Sequence, residues 1–305
     1  MSVTLLTAVL RSSMKLIFLG TAAGRPTKKR SLPCTVLHYN GEIILFDCGE
    51  GAQRQMISVI SPSKIRKIFI SHFHGDHYLG LGGLLQTMSL NRRETPLSIY
   101  GPERAAHYLH HYFQSGHFGI RFPIYVHEIE EDIIEEEKYT IKSFPVNHSV
   151  PTIGFVFQEK EKRGRFLEDK AKSLGIHGRL FTEIERNGFV EVDGRKITLE
   201  EVTGPRRPGK KIVFSSDTVP CDRVVKEARN CDVLIHEATY ITDEDRLGTY
   251  HTTVREACDI AVRAGAQKLV LTHISQRYEE GEVIREAEKY FESVVVAHDF
   301  LKLEL

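Results

Sequence analysis

The chain has 305 residues, 41% of them hydrophobic, enough for a full core in one large domain or two small ones. Its 41 basic and 41 acidic side chains cancel, which excludes a nucleic-acid partner recruited by net charge but leaves room for a local basic patch. Five scattered cysteines form no C-x-x-C pair, and no apolar stretch nears the roughly 18–20 residues of a membrane span, so the expectation is reduced thiols in the cytoplasm and no membrane.

In chain order, MSVTLLTAVLRSS lacks the basic start and small-residue cleavage site of a secretory signal, so residues 1–13 read as an N-terminal extension. From Met14 short β-branched runs alternate with helical patterns, which predicts α/β layers. TVLHYNGEIILFD reads as two strands joined by Asn40-Gly41, the dipeptide of type I′ hairpins. Residues 82–91 and 253–264 read as helices, and Thr253-x-x-Glu256 has the form of a capping box. Between Phe157 and Lys210 the composition turns charged, and residues 159–211 hold 14 Lys and Arg against 10 Asp and Glu. This basic excess predicts an insertion projecting from the core at about residues 158–208. Inside it, residues 165–174 suggest a short helix ending at Gly175, Asp193-Gly194 a hairpin, and Thr198-x-x-Glu201 a capped turn.

Five apolar runs end on an acid or an imidazole: KIFISH at His72, IKSFPVNH at His148, KIVFSSD at Asp217, VLIHE at Glu237 and KLVLTH at His273. Polar residues always follow strands, but that alone does not select His, Asp or Glu five times. Strands in stacked sheets can bring such ends to one edge, where open α/β folds place their sites.

The densest of these stretches is ISHFHGDHYLG. His72 and His74 are two residues apart, so extended backbone points them to the same side. Asp76 and His77 follow at the entry to the next segment, where Gly75 eases a turn. Imidazoles and a carboxylate are natural ligands of zinc and similar borderline metals, Mn²⁺ among those that share them. Four donors in six residues cannot surround one ion without strain, which favours two metal positions. His148, Asp217 and His273 supply the missing ligands, and Asp217 can bridge through its two oxygens. Two cations about 3.5–4 Å apart suit phosphoester hydrolysis. Asp76 can accept a proton from the attacking water, and Glu237 beside His251 would make that imidazole a proton donor to the leaving oxygen.

The segments FLGTAAGRP, LFDCGEGAQRQM, ISHFHGDH, PVNHSVPTIGF, FSSDT, IHEATY, HTT and LTHISQRY, in that order, resemble the tRNA 3′-processing endoribonucleases of the RNase Z family, within the metallo-β-lactamase superfamily. The resemblance spans residues 14–305. It implies an αββα sandwich with a dinuclear zinc site and a projecting flexible arm that grips the tRNA. One zinc would take His72, His74 and His148, the other Asp76, His77 and His273, with Asp217 bridging. Asp76 would serve as base, and Glu237 with His251 would assist the leaving group. The implied reaction removes the 3′ trailer from precursor tRNA, leaving a 3′-hydroxyl on the tRNA and a 5′-phosphate on the trailer.

The charged insertion falls where the family carries its arm, and GIHGRLFTEI follows the arm's Gly-Pro-Leu pattern with Arg179 in place of proline. PSKIRK resembles the family's P-x-K-x-R-N loop through Lys64 and Arg66, with Lys67 in place of Asn. AHDF resembles its A-x-D-x loop through Ala297 and Asp299. These positions are implied to handle the tRNA, and the resemblance also implies a homodimer. Two other readings stay open on the residues alone: the same fold acting on another nucleic acid or small phosphodiester, and a non-catalytic RNA-binding module with a structural metal.

Overall fold

The computed structural model describes residues 14–246 and 248–305; the N-terminal extension at residues 1–13 lies outside the described residues. The chain divides into two compact units. One takes in the chain up to Glu135 with Ile141–Phe157 and Lys211–Leu305, the other Glu136–Thr140 and Gln158–Lys210.

Strands β1 (Met14–Gly20), β2 (Cys34–Tyr39), β3 (Glu42–Phe46), β4 (Ile65–Phe69), β5 (Leu97–Gly101) and β6 (Ile124–Glu128) lie side by side in sequence order. The Asn40-Gly41 turn explains the β2–β3 pairing. Asn40 and Gly41 both take positive φ, 48° and 86°, which is the type I′ geometry that matches strand twist. From β3 to β6 the pairing is parallel.

The second sheet is entered through β7 (Ile133–Glu135), β8 (Tyr139–Pro145) and β9 (Ile153–Glu159). After β10 (Phe189–Val192) and β11 (Arg195–Thr198), which pair only with each other, it continues with β12 (Lys211–Phe214), β13 (Val233–Glu237), β14 (Leu269–Thr272) and β15 (Val294–Val296). Its order is β15-β14-β13-β12-β9-β8-β7, and the run from β12 to β15 is parallel. Strand β16 (Lys302–Glu304) closes the chain on the outer edge of β1.

The two sheets meet through aromatic rings. Phe46 of β3 stacks on Phe214 of β12 at 3.8 Å, and Phe155 of β9 lies 5.4 Å from both Phe46 and Phe69. Strand alternation puts the neighbouring side chains on the outer faces. There Ile43, Leu45 and Ile68 pack with the helix Leu81–Leu90, while Val213 and Leu234 pack with the helix Val254–Ala264. Helices therefore cover both outer faces, which is the αββα sandwich. The second helix begins as its sequence predicts, with Thr253 and Glu256 bonding each other's backbone in a capping box.

The smaller unit has a core of its own: Ala171, Ile176, Ile184, Val190, Ile197 and Val202 are buried together. Its helix Glu168–Ser173 precedes Gly175 at φ +82°, and Asp193-Gly194 turn the β10–β11 hairpin at φ 50° and 76°. Glu201 reaches back to the Thr198 N–H at 2.9 Å, although the 3₁₀ turn it belongs to, Glu200–Val202, is capped at Leu199. Gly75 differs from expectation. It opens the helical turn Gly75–Tyr78 without positive φ, and its bare α-carbon makes room for Leu79.

Phe46→Ala removes the ring shared by both sheets and is expected to cost roughly 3–5 kcal/mol. Urea unfolding followed by circular dichroism measures this as a lower midpoint.

Candidate metal centre

The strand ends converge. After β4 the backbone stays extended through His72 to His74, which caps the short helix carrying Asp76 and His77. His148 follows β8, Asp217 follows β12 and His273 follows β14. His74 Nδ1 lies 3.1 Å from His72 Nε2 and 3.2 Å from His148 Nε2, so three imidazole nitrogens face one point. Asp76, His77 and His273 form a second group, with the Asp76 Oδ2 3.5 Å from each Nε2. Asp217 Oδ2 stands between the groups, 3.2 Å from His273, 3.3 Å from His77 and 3.8 Å from His72.

Outer partners decide which nitrogens face inward. Carboxylates and carbonyls only accept, so His77 Nδ1 donates to Asp47 (2.7 Å) and His148 Nδ1 to the Tyr250 carbonyl (2.9 Å). Ser71 spends its one hydroxyl proton on Asp47 (2.9 Å) and so accepts from His72 Nδ1 (3.0 Å). Thr239 donates to Glu237 (2.6 Å) and accepts from His273 Nδ1 (2.9 Å). Each ring is thereby fixed in the tautomer that leaves a lone pair on its inner Nε2.

Inward lone pairs and carboxylate oxygens at such separations repel one another unless a cation or proton lies among them. His77 Nε2 is buried and has no hydrogen-bond partner among the described residues. A set of imidazole and carboxylate donors with an orphaned inner nitrogen fits a divalent metal of borderline softness. The charges show the same need. Burial raises the Asp217 pKa, yet His273 and His77 hold it well below its ordinary value. Burial lowers that of His77, yet Asp217, Asp47 and Asp76 hold it well above. A proton and a metal ion are thus rival occupants of the same lone pair, and binding one releases the other.

Beside the Asp76, His77 and His273 group sits a further pair, whose donor atoms neighbour those of His148, Asp217 and His273. The ring of His251 meets Glu237 Oε1 at 2.8 Å. Glu237 is buried at the end of β13 and also accepts from the Thr218 N–H and from the N–H and hydroxyl of Thr239. Alternation along β13 sends Glu237 inward and its neighbour His236 to the helix-covered face. Burial pulls the His251 pKa down, but the bond and charge of Glu237 with the charge of Asp217 raise it to about 9. A cleft of about 500 Å³ opens next to His148, between Pro102–Glu103 and Val150–Pro151.

Of the expected substrate contacts, Lys64 is exposed at the end of the turn Pro62–Lys64 and Arg66 is exposed at the start of β4. Buried Arg93 pins that turn by donating to the carbonyls of Ser63 and Ile65. Arg179 is exposed and opens the helix Arg179–Asn187. Asp299 is instead occupied internally, accepting from Thr21, Ser31 and Gln55, and the Ala297 carbonyl accepts from Arg30. Sequence reasoning missed Asp47, although EIILFD ends on an acid as the other five runs do. It also missed Ser71 and Thr239, whose hydroxyls carry no sequence signal. Asp47, Ser216 and His273 all take left-handed φ, 59°, 60° and 56°, the kind of strain that gathers at functional sites.

The chain matches the family model described as the beta-lactamase superfamily domain over residues 42–172 and 198–274. It is 46% identical to ribonuclease Z of Pyrococcus horikoshii over 295 residues, 96% of either chain. Among solved structures it resembles human tRNase Z, short form, at 30% identity and a TM-score of 0.68, covering 95% of this chain and 98% of that one. The metallo-beta-lactamase fold protein YhfI of Bacillus subtilis shares the fold, with a TM-score of 0.71, 20% identity and 97% and 100% coverage. Fold and donor set thus define a metal-dependent hydrolase of the metallo-β-lactamase superfamily. Within that superfamily, the chain belongs to the ribonuclease Z family.

Asp47→Asn keeps the shape but weakens the acceptor that orients His77, so metal affinity is expected to fall about 10–100-fold. Competition with a chromophoric chelator measures it. Metal at 1,000 times its dissociation constant should add about 4 kcal/mol of stability, lost on adding a chelator and visible as a lower Tm.

Proposed function

We propose that the chain is a zinc-dependent endoribonuclease that removes the 3′ trailer from precursor tRNA, leaving a 3′-hydroxyl on the tRNA and a 5′-phosphate on the trailer. The observation that carries this reading is the His251–Glu237 pair at 2.8 Å, set beside a seven-residue donor cluster. A purely structural metal site has no use for an oriented proton donor. The relatives named above, ribonuclease Z and tRNase Z, support RNA as the substrate.

His72, His74 and His148 would hold one Zn²⁺ and Asp76, His77 and His273 the other, with Asp217 shared. Mn²⁺ suits the same ligands. Bound there, the ions supply charge neutralisation for the phosphate and a lowered pKa for the attacking water. The chain's own residues do the rest. Asp76, steadied by the Gly24 N–H at 3.0 Å, orients the water and takes its proton. Glu237 holds the His251 ring through Nδ1, which leaves Nε2 to give a proton to the leaving 3′-oxygen. Glu237 is itself fixed by three other donated hydrogen bonds, so the pair is rigid before substrate arrives.

The smaller unit, with its basic excess, would be the arm that holds tRNA away from the cut, reading shape and backbone rather than base sequence. Lys64, Arg66 and Arg179 would contact RNA, while Ala297 and Asp299 would shape the 3′-end site through the loop they brace. The working form would be a homodimer in the cytoplasm. No helix among the described residues is long and apolar enough to cross a membrane.

Mapping the ends released from a trailer-bearing precursor tests the reaction directly; metal-loaded protein that leaves the precursor intact would refute it. His251→Ala is expected to lower kcat about 10²–10⁴-fold with tRNA binding kept. Deleting residues 158–208 is expected to lower precursor cleavage relative to small-diester hydrolysis by about 10²-fold or more, because the second point of attachment is gone.

A further inference from the structure

We infer that Arg25, at the tip of the loop from Thr21 to Ser31, binds the phosphate next to the scissile one and so helps to set where the RNA is cut. The inference rests on the proposed function and adds a residue to it.

The loop is fastened to the metal centre on both sides. Ala22 bridges to Ile274, whose N–H donates to the Thr21 carbonyl, so the loop runs beside the strand end that carries His273. At its tip the Arg25 N–H donates to the Ala23 carbonyl, closing a three-residue turn around Gly24 at φ +64°. Only glycine takes that conformation without strain. The turn aims the Gly24 N–H at Asp76 Oδ2, 3.0 Å away. The next α-carbon, that of Arg25, is about 3.8 Å further along the chain. An arginine there sits one residue from a backbone group that touches the site's carboxylate.

Its charge is uncommitted. Arg25 and Lys28 are exposed and make no ion pair with any described residue, while Lys29 is paired with Glu279. On the other side of the site the cations are spent: Arg246 on Glu256 and Asp243, Arg277 on Asp245. The loop is also stiff. Thr27 Oγ1 accepts from the Lys29 and Arg30 N–H groups, and buried Arg30 is held by Thr21, Ala297 and Glu280. RNA entering this site brings a negative charge with every linkage, and the metal ions that the donor cluster would hold would neutralise only the one being cut. The neighbouring phosphate would face Asp76 unless a cation met it. Arg25 is placed to do so, with a planar fork that matches phosphate oxygens.

The test uses metal-loaded full-length protein, a trailer-bearing precursor, and bis(p-nitrophenyl) phosphate, a diester without neighbouring phosphates. Arg25→Ala is expected to lower kcat/KM for the precursor about 10-fold relative to the small diester, mainly through KM. The salt slope of Arg25→Ala should shrink by about 0.7, and Arg25→Lys should keep the slope and recover part of the loss. Replacing single linkages beside the cut by neutral methylphosphonate should find one that costs wild type the same factor and costs Arg25→Ala nothing more. The inference is overturned if Arg25→Ala cleaves precursor like wild type, if both substrates slow equally, or if every neutral linkage costs both proteins alike. Wild type that hydrolyses the small diester but never the precursor refutes the proposed function, and the inference with it.

Discussion

Asp47, Ser71, Thr239 and the Tyr250 carbonyl each accept a hydrogen bond from the outer N–H of an imidazole, and the rest of the site depends on that constraint. Once the outer nitrogens are protonated, the inner ones present lone pairs to one another and to two carboxylates. Such an arrangement is unfavourable in isolation and persists only because packed strand ends hold it. Asp47 shows how the cost is met. Its backbone is strained, yet its two oxygens accept from His77, the Ser71 hydroxyl and the Ser71 N–H. Three charge-assisted or neutral hydrogen bonds outweigh one left-handed residue.

The sandwich separates two chemical tasks that would interfere if merged. Lone pairs gather where β4, β8, β12 and β14 end, and the proton donor is built from β13 and the loop that carries His251. Glu237 lies outside the Asp76, His77 and His273 group, though its carboxylate neighbours His251 and His273, and three threonine-derived donors hold it. Thr239 links the tasks, because its hydroxyl serves Glu237 on one side and His273 on the other. A change at that hydroxyl is felt by both.

Arginine is used in two distinct ways around the site. Arg30 and Arg93 are buried and spend their fixed forks on carbonyls and hydroxyls, which stiffens the loops that carry them. Arg25 and Lys28, on the loop that carries Arg30, and Lys64 and Arg66, beside the turn that Arg93 pins, are exposed. Buried arginines give rigidity, and exposed ones are left for an anionic partner. The smaller unit follows its own logic: a charged surface over seven buried apolar residues drawn from helix, hairpin and 3₁₀ turn. Those residues share no single period, which is why its sequence shows a helix, a hairpin and a capped turn but not the core that joins them.

Local physics made much of this protein legible from sequence. Asn40-Gly41 and Asp193-Gly194 specify their turns because only such residues accept positive φ in succession. Thr253 and Glu256 specify a helix start because each satisfies the other's backbone. His72 and His74 share a side because extended backbone repeats every two residues. The seven donors were visible as types because metal chemistry admits few. What lay beyond the sequence was every contact between distant segments. That Asp217 stands between His72 and His273 follows from two sheets packing through Phe46 and Phe214, whereas Asp47 orients His77, Asp299 braces a loop and Gly24 reaches Asp76 because strands of the first sheet lie side by side. Residue type sets what a side chain is able to do, and only the folded chain decides which partner it meets.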